Sequence, residues 1–169
     1  MALTLIVEDG SSKTDSNTYL SLADTEEYFD GRLNKGAWAN TNEAEKKAAK
    51  VQATRILDSY VKWYGYKTDV DQARQWPQLG ASSEEYIIDS DEIPTEIKDA
   101  ECELSLVLIS QDTQKVSDTA GLKSISVAGT VNIDIDKSDR INEIPSHVWK
   151  LISHLGQKKG GANVLLQRG

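Results

Sequence analysis

The chain has 169 residues, of which 19 are Lys or Arg and 27 Asp or Glu, giving a formal charge of −8. That length suits one domain burying roughly 70% of its unfolded surface, and the acidic balance argues against a protein whose main work is gripping phosphates. The single cysteine, Cys102, excludes an internal disulfide, and no apolar run approaches the ~20 residues needed to span a bilayer, so a soluble protein with no membrane partner is expected.

Leu3, Leu5 and Val7 alternate with other positions up to Asp9-Gly10, which predicts a short strand ending in a turn, although Ile6 interrupts the pattern. This run is too short for a secretory leader and lacks a basic lead, so synthesis in a reducing cytoplasm is expected. Gly10 to Asn17 is Ser-rich and reads as a mobile loop. Ser21 with Asp24 resembles a capping box, and the helix it starts should run to about Leu33, with Tyr28, Phe29 and Leu33 among its apolar residues. Gly36 to Thr41 is a connection. Asn42 with Glu45 is a second capping signature, opening a long helix from Glu43 to Tyr64 that is striped by Ala49, Ala53, Ile56, Leu57, Tyr60 and Tyr64 and stopped by Gly65. Tyr66 to Asp71 is loop, Gln72 to Gln75 one helical turn, and Trp76-Pro77 an extended corner. Leu79 to Ser90 reads as surface loop with a short strand at Tyr86-Ile87-Ile88.

Asp91 to Gln111 carries the strongest helical signal. Pro94 suits the first turn, Glu96 and Asp99 sit near the positive end of the helix dipole, and Ile93, Ile97, Ala100, Leu104, Val107 and Leu108 recur at three- and four-residue steps. Leu106 and Ile109 add apolar surface on other faces, so the second half of this helix should be enclosed by several neighbours. Further on the period changes to two. Ile125, Val127, Val131 and Ile133 predict either one long kinked strand or a hairpin with a loop longer than two residues, at about 122–136. Such a strand, with few partners in its own chain, would suit pairing with another subunit. Pro145 opens a last helix with Val148, Trp149, Ile152 and Leu155 on one side and Gly156 as its stop. The expected fold is mainly α: a small bundle of about four helices in residues 1–156, with the strand or hairpin arm, and a flexible docking tail at 157–169 that holds two lysines, Gly160-Gly161 and Val164-Leu165-Leu166.

Charge is unevenly placed. Glu43 to Trp76 holds seven basic and five acidic residues, whereas Glu84 to Glu103 holds nine acids against Lys98 alone. Two solvated helix faces would account for this; so would complementary surfaces of identical subunits, as in a heterologous contact that closes a ring. For catalysis or metals the residues offer little. His147 and His154 lie about 10 Å apart along a helix axis, too far to share a metal. Asp134, Asp136 and Ser138 imitate the opening of a calcium loop, but Asp139 stands where glycine is required and Pro145 where the bidentate glutamate belongs. Cys102 reads as a packing residue, and Gly160-Gly161 follows a helix instead of a strand, so it lacks the setting of a phosphate loop. No enzyme motif, cofactor or metal site is expected. Core packing is the default for Trp38, Trp63, Trp76 and Trp149; interface anchoring is the alternative, with Trp149 the best candidate.

Several blocks go further as a set: Leu5-Ile6-Val7-Glu8-Asp9-Gly10, Ser16-Asn17-Thr18-Tyr19-Leu20-Ser21-Leu22-Ala23 with Tyr28-Phe29, Ala53-Thr54-Arg55-Ile56-Leu57-Asp58, Gln72-Ala73-Arg74-Gln75-Trp76-Pro77, and Ile93-Pro94 leading into Ala100-Glu101-Cys102-Glu103-Leu104. Together they resemble the tailed-phage head-to-tail connector, or adaptor, proteins, a group with members labelled DnaT-like after a primosomal single-stranded-DNA-binding protein. The resemblance implies a virion structural protein of the neck: a dodecameric ring under the portal, linking it to a stopper or tail protein, through which DNA slides without specific binding. In that reading Trp149 and the tail residues Asn163, Val164, Leu165, Leu166, Gln167 and Arg168 would contact the portal. Arg55, Lys62 and Arg74 would face Glu96, Glu101 and Glu103 of neighbours, and Ile125, Val127, Val131 and Ile133 would pair between subunits. The alternative is a replication accessory protein binding single-stranded DNA, using the basic Lys46 to Arg74 region with Trp63, Tyr64, Tyr66 and Trp76 as stacking platforms.

Overall fold

The computed structural model describes residues 2–83, 86–111 and 143–159, together with the backbone of 124–127 and 131–134. Among these residues it has five helices and three two-stranded sheets, a mainly α fold. Both capping signatures are realised. Ser21 accepts the Asp24 N–H at the start of α1 (Leu22–Asp30), and Asn42 accepts the Glu45 N–H at the start of α3 (Glu43–Tyr60). Between them the expected connection contains a short helix, α2 (Gly36–Ala39), which turns Trp38 inward against Phe29, ring centroids 4.6 Å apart.

The helix expected at 91–111 is α4 (Thr95–Ser110), capped by Pro94. It is enclosed as its apolar residues demand: α3 packs along it, α5 (Ser146–Ile152) covers another side, and α1 and α2 touch it as well. Ile97, Ala100 and Leu104 join Ala53, Ile56, Leu57, Val148 and Ile152 in the main core, while Cys102 and Leu106 join Phe29 and Trp38 in a second cluster.

Four expectations need correction. The long helix ends at Tyr60, not Tyr64, because Val61 to Trp63 leaves it as strand β1 (Val61–Trp63) and pairs antiparallel with β6 (Gly156–Lys158). β-Branched Val61 and aromatic Trp63 favour extended chain once a partner strand is present. Gly156 therefore lies inside a strand and is not the stop of the last helix. Residues 3–7 form no strand beyond one bridge, Val7 to Thr18. The Ser-rich loop after them is organised around buried Glu8, whose carboxylate accepts the N–H groups of Gly10, Ser12 and Lys13 and the Ser16 hydroxyl.

The last small sheets are β2 (Tyr66–Lys67) with β3 (Gln78–Leu79), and β4 (Ser124–Val127) with β5 (Val131–Asp134). In the latter, Ile125 pairs with Ile133 and Val127 with Val131, so the hairpin has the loop longer than two residues, and each strand has one neighbour inside the chain.

Candidate nucleic-acid interface

The segment from Val61 to Lys67 alternates. Val61 and Trp63 are buried, whereas Lys62, Tyr64, Tyr66 and Lys67 are exposed, Tyr64 at 57% and Tyr66 at 79%. Backbone bonds hold it in place: Lys62 faces Gln157 in the β1–β6 register, Tyr64 donates its N–H to the Leu155 carbonyl, and Tyr66 pairs with Leu79. Two glycines permit the close approach. A Cβ at Gly156 would come 2.8 Å from Val61 Cγ1, and one at Gly65 would come 2.8 Å from Gln78 Oε1. At Gly156 the Lys62 carbonyl would also lie 2.9 Å away, so β6 requires glycine there, whereas at Gly65 the end of the Gln78 side chain would have to move.

Strand β6 brings lysines from the far end of the chain to this segment. Lys158 places its ammonium 5.3 Å from the Trp149 ring centroid, a cation–π contact on the Val61 side of the ribbon. Lys159 donates its backbone N–H to the Tyr60 carbonyl and its ammonium to the Asp58 carbonyl. Sequence reasoning assigned both lysines to the tail. A three-residue strand is too short for its period to be read, and Gly156 looked like a helix stop.

Most cations in the basic Lys46 to Arg74 region are already paired inside the chain. Lys46 meets Glu26 at 2.8 Å, Lys47 meets Glu43 at 2.6 Å, and Arg74 meets Asp58 at 3.4 Å. Lys50 and Glu101 form an ion pair with both side chains fully buried. Thr25 also accepts from the Lys50 ammonium, and the Glu101 carboxylate takes the Thr18 hydroxyl and the Tyr19 N–H. Arg55 and Lys62 are exposed and make no ion pair among the described residues.

The acidic side closes in the same way. Glu103 accepts two bonds from Arg32, at 2.6 and 2.9 Å, and one from the Tyr28 hydroxyl. Its burial alone would raise its pKa, but the bonds from Arg32 and Tyr28 outweigh that and hold it below the usual range. Glu96 has His154 at 4.0 Å. Of the charges that suggested a seam between subunits, Glu101 pairs with Lys50, Glu103 with Arg32 and Arg74 with Asp58 within one chain, whereas Arg55 and Lys62 make no ion pair among the described residues. Trp149 is half-buried under Lys158, whereas Asn163, Val164, Leu165, Leu166, Gln167 and Arg168 lie outside the described residues.

Of the four aromatic side chains proposed as stacking platforms, Trp63 and Trp76 are core residues, packed edge to face at 5.7 Å, and only Tyr64 and Tyr66 are open to a ligand. Cys102 is buried, which pushes its thiol up to about 12 and leaves it protonated at neutral pH. Among the described residues no group of three or more His, Cys, Asp or Glu side chains is placed to hold a metal ion, and no helix is long and apolar enough to cross a membrane.

A family model described as "Putative DnaT-like ssDNA binding protein" matches residues 3–169. The chain belongs to this family. Comparisons with curated proteins and with solved structures returned no match. Membership corrects the head-to-tail connector assignment, because the matching family is described by single-stranded-DNA binding. The virion neck role, the dodecameric ring, the portal, stopper and tail partners, and the passage of DNA without binding all fall with it.

Beside the interface, burial raises the Asp58 carboxyl to about 6, against bonds from Tyr19 and the charge of Arg74 that pull it down. The unfolded chain releases this proton near pH 4. Between pH 4 and 6 the folded chain therefore holds a proton that the unfolded chain has lost, and stability from this group is full below pH 4 and lost as pH rises through 6. Two pKa units correspond to about 3 kcal/mol. Asp58→Asn, which keeps an acceptor for Tyr19, should gain on the natural protein by about that much between pH 4 and pH 7. Urea unfolding at the two pH values measures it, and a constant difference would contradict the assignment.

Proposed function

We propose that this protein binds single-stranded DNA as a non-catalytic accessory of replication, through the face made by Lys62, Tyr64 and Tyr66, with Lys67 after it in the chain and Lys159 bonded to the end of α3 before it. The observation that carries this reading is the pair of open tyrosine rings between Lys62 and Lys67, in a family described by single-stranded-DNA binding. Every base has a π-face, so two tyrosines can stack on bases of any sequence while lysines neutralise phosphates.

The overall charge of −8 limits this to a local site of modest affinity that depends on salt. Neutralisation of about three phosphates gives a slope of log K against log salt of about −2 for a single strand. Titration of the full chain with a labelled thymidine oligonucleotide, alongside a duplex of equal length, tests the function. Salt-sensitive binding that favours the single strand is the expected result. Equal affinity for both, or no binding at low salt, would refute it.

A further inference from the structure

A groove of about 400 Å³ runs beside the second half of α3, lined by Leu3, Val51, Arg55, Ile56, Ser59 and Tyr60 among others. This volume lies at the lower end of small-ligand sites. Its walls are mixed in a particular way. Val51 and Ile56 are buried aliphatic side chains at its base, Ser59 and Tyr60 supply hydroxyls, and Arg55 lines it as an exposed cation with no ion pair among the described residues. The groove ends where the chain turns toward the lysine and tyrosine face. Tyr60 is the last residue of α3 and Lys62 follows two positions later, while Lys159 is bonded to the carbonyls of both Tyr60 and Asp58.

We propose that this groove receives one unstacked base of the single strand, extending the track from Tyr66 and Tyr64 past Lys62 to α3 and favouring single-stranded over duplex DNA. The inference rests on the single-strand reading above and adds a subsite to it. A base presents flat apolar faces to aliphatic side chains and polar edges to hydroxyls, and its phosphate presents a charge to Arg55 or Lys159. An apolar peptide segment would use the aliphatic base of the groove but would leave these cations unmatched, so charge complementarity favours the nucleotide. A paired base cannot enter without leaving its stack, which is the source of the selectivity.

The test fills the groove. Ala48, exposed on α3, also lines it, and A48W projects a large side chain into the space. Binding of a labelled 12-nucleotide oligothymidine and of a 12-base-pair duplex is measured for the full chain, with circular dichroism to check the helix. A48W should bind the oligothymidine roughly tenfold more weakly, as for loss of one stacked base, with duplex binding unchanged. Arg55→Ala should weaken it several-fold, and Arg55→Lys should retain most of the affinity. Should A48W disturb the helix, Arg55→Ala decides alone. Wild-type affinity in these variants while Tyr64→Ala loses binding would overturn the groove proposal and leave the interface standing. A natural protein that does not bind oligothymidine would overturn both.

Discussion

Alanine at both Tyr64 and Tyr66 will weaken oligonucleotide binding by about 2–4 kcal/mol, roughly 30- to 1,000-fold, at the lower half of what two base–aromatic stacks contribute. Both rings stand outside the core, so the unfolding transition of the double variant should match that of the natural protein. Tyr→Phe at the same positions keeps the ring and should keep most of the affinity. Trp63→Ala makes the contrast. Its indole is buried against Trp76, so removing it should cost about 3–5 kcal/mol of stability. A double alanine variant that binds within twofold of the natural protein would move the interface elsewhere on the surface.

The second large effect concerns folding. Lys50→Met will destabilise the chain by about 3–5 kcal/mol, because it leaves the fully buried Glu101 carboxylate without its counter-charge. Glu101→Ala should cost at least as much, since it strands the Lys50 ammonium and also removes the acceptor of the Thr18 hydroxyl and the Tyr19 N–H. Against a typical total of about 5–15 kcal/mol, either change can leave much of the protein unfolded. Chemical denaturation at pH 7 measures this, and a loss below about 1 kcal/mol for both variants would mean that water reaches the pair. The pair links α3 to α4 and, through Thr25 and Thr18, to α1 and the segment before it. It therefore fixes how the helices register, as well as filling space.

Much of the framework could be read from the chain. Ser21 with Asp24 and Asn42 with Glu45 marked two helix starts, because a cap is a contact between residues three apart and needs nothing from the rest of the fold. The aliphatic steps of α4 marked an enclosed helix for a similar reason. The errors have a common origin in contacts between distant residues. Val61 to Trp63 has the composition to prolong a helix or to pair as a strand, and β6, almost a hundred residues away, decides between them. Tyr64 and Trp63 looked equivalent as stacking platforms, yet the half-turn between successive strand residues puts one outside and the other in the core.

Charge shows the same division. The sequence by itself determined the mainly α architecture, the caps, the core helix and an excess of carboxylates, since these follow from local geometry and composition. Which charges remain available was decided only by the tertiary structure. Packing pairs Lys46, Lys50 and Arg74 with Glu26, Glu101 and Asp58, and it carries Lys158 and Lys159 from far along the chain to Val61 and Tyr60. An ionic bond forms between groups a few ångströms apart however far apart they stand in sequence, so the binding face exists only once the helices have packed and the strands have paired.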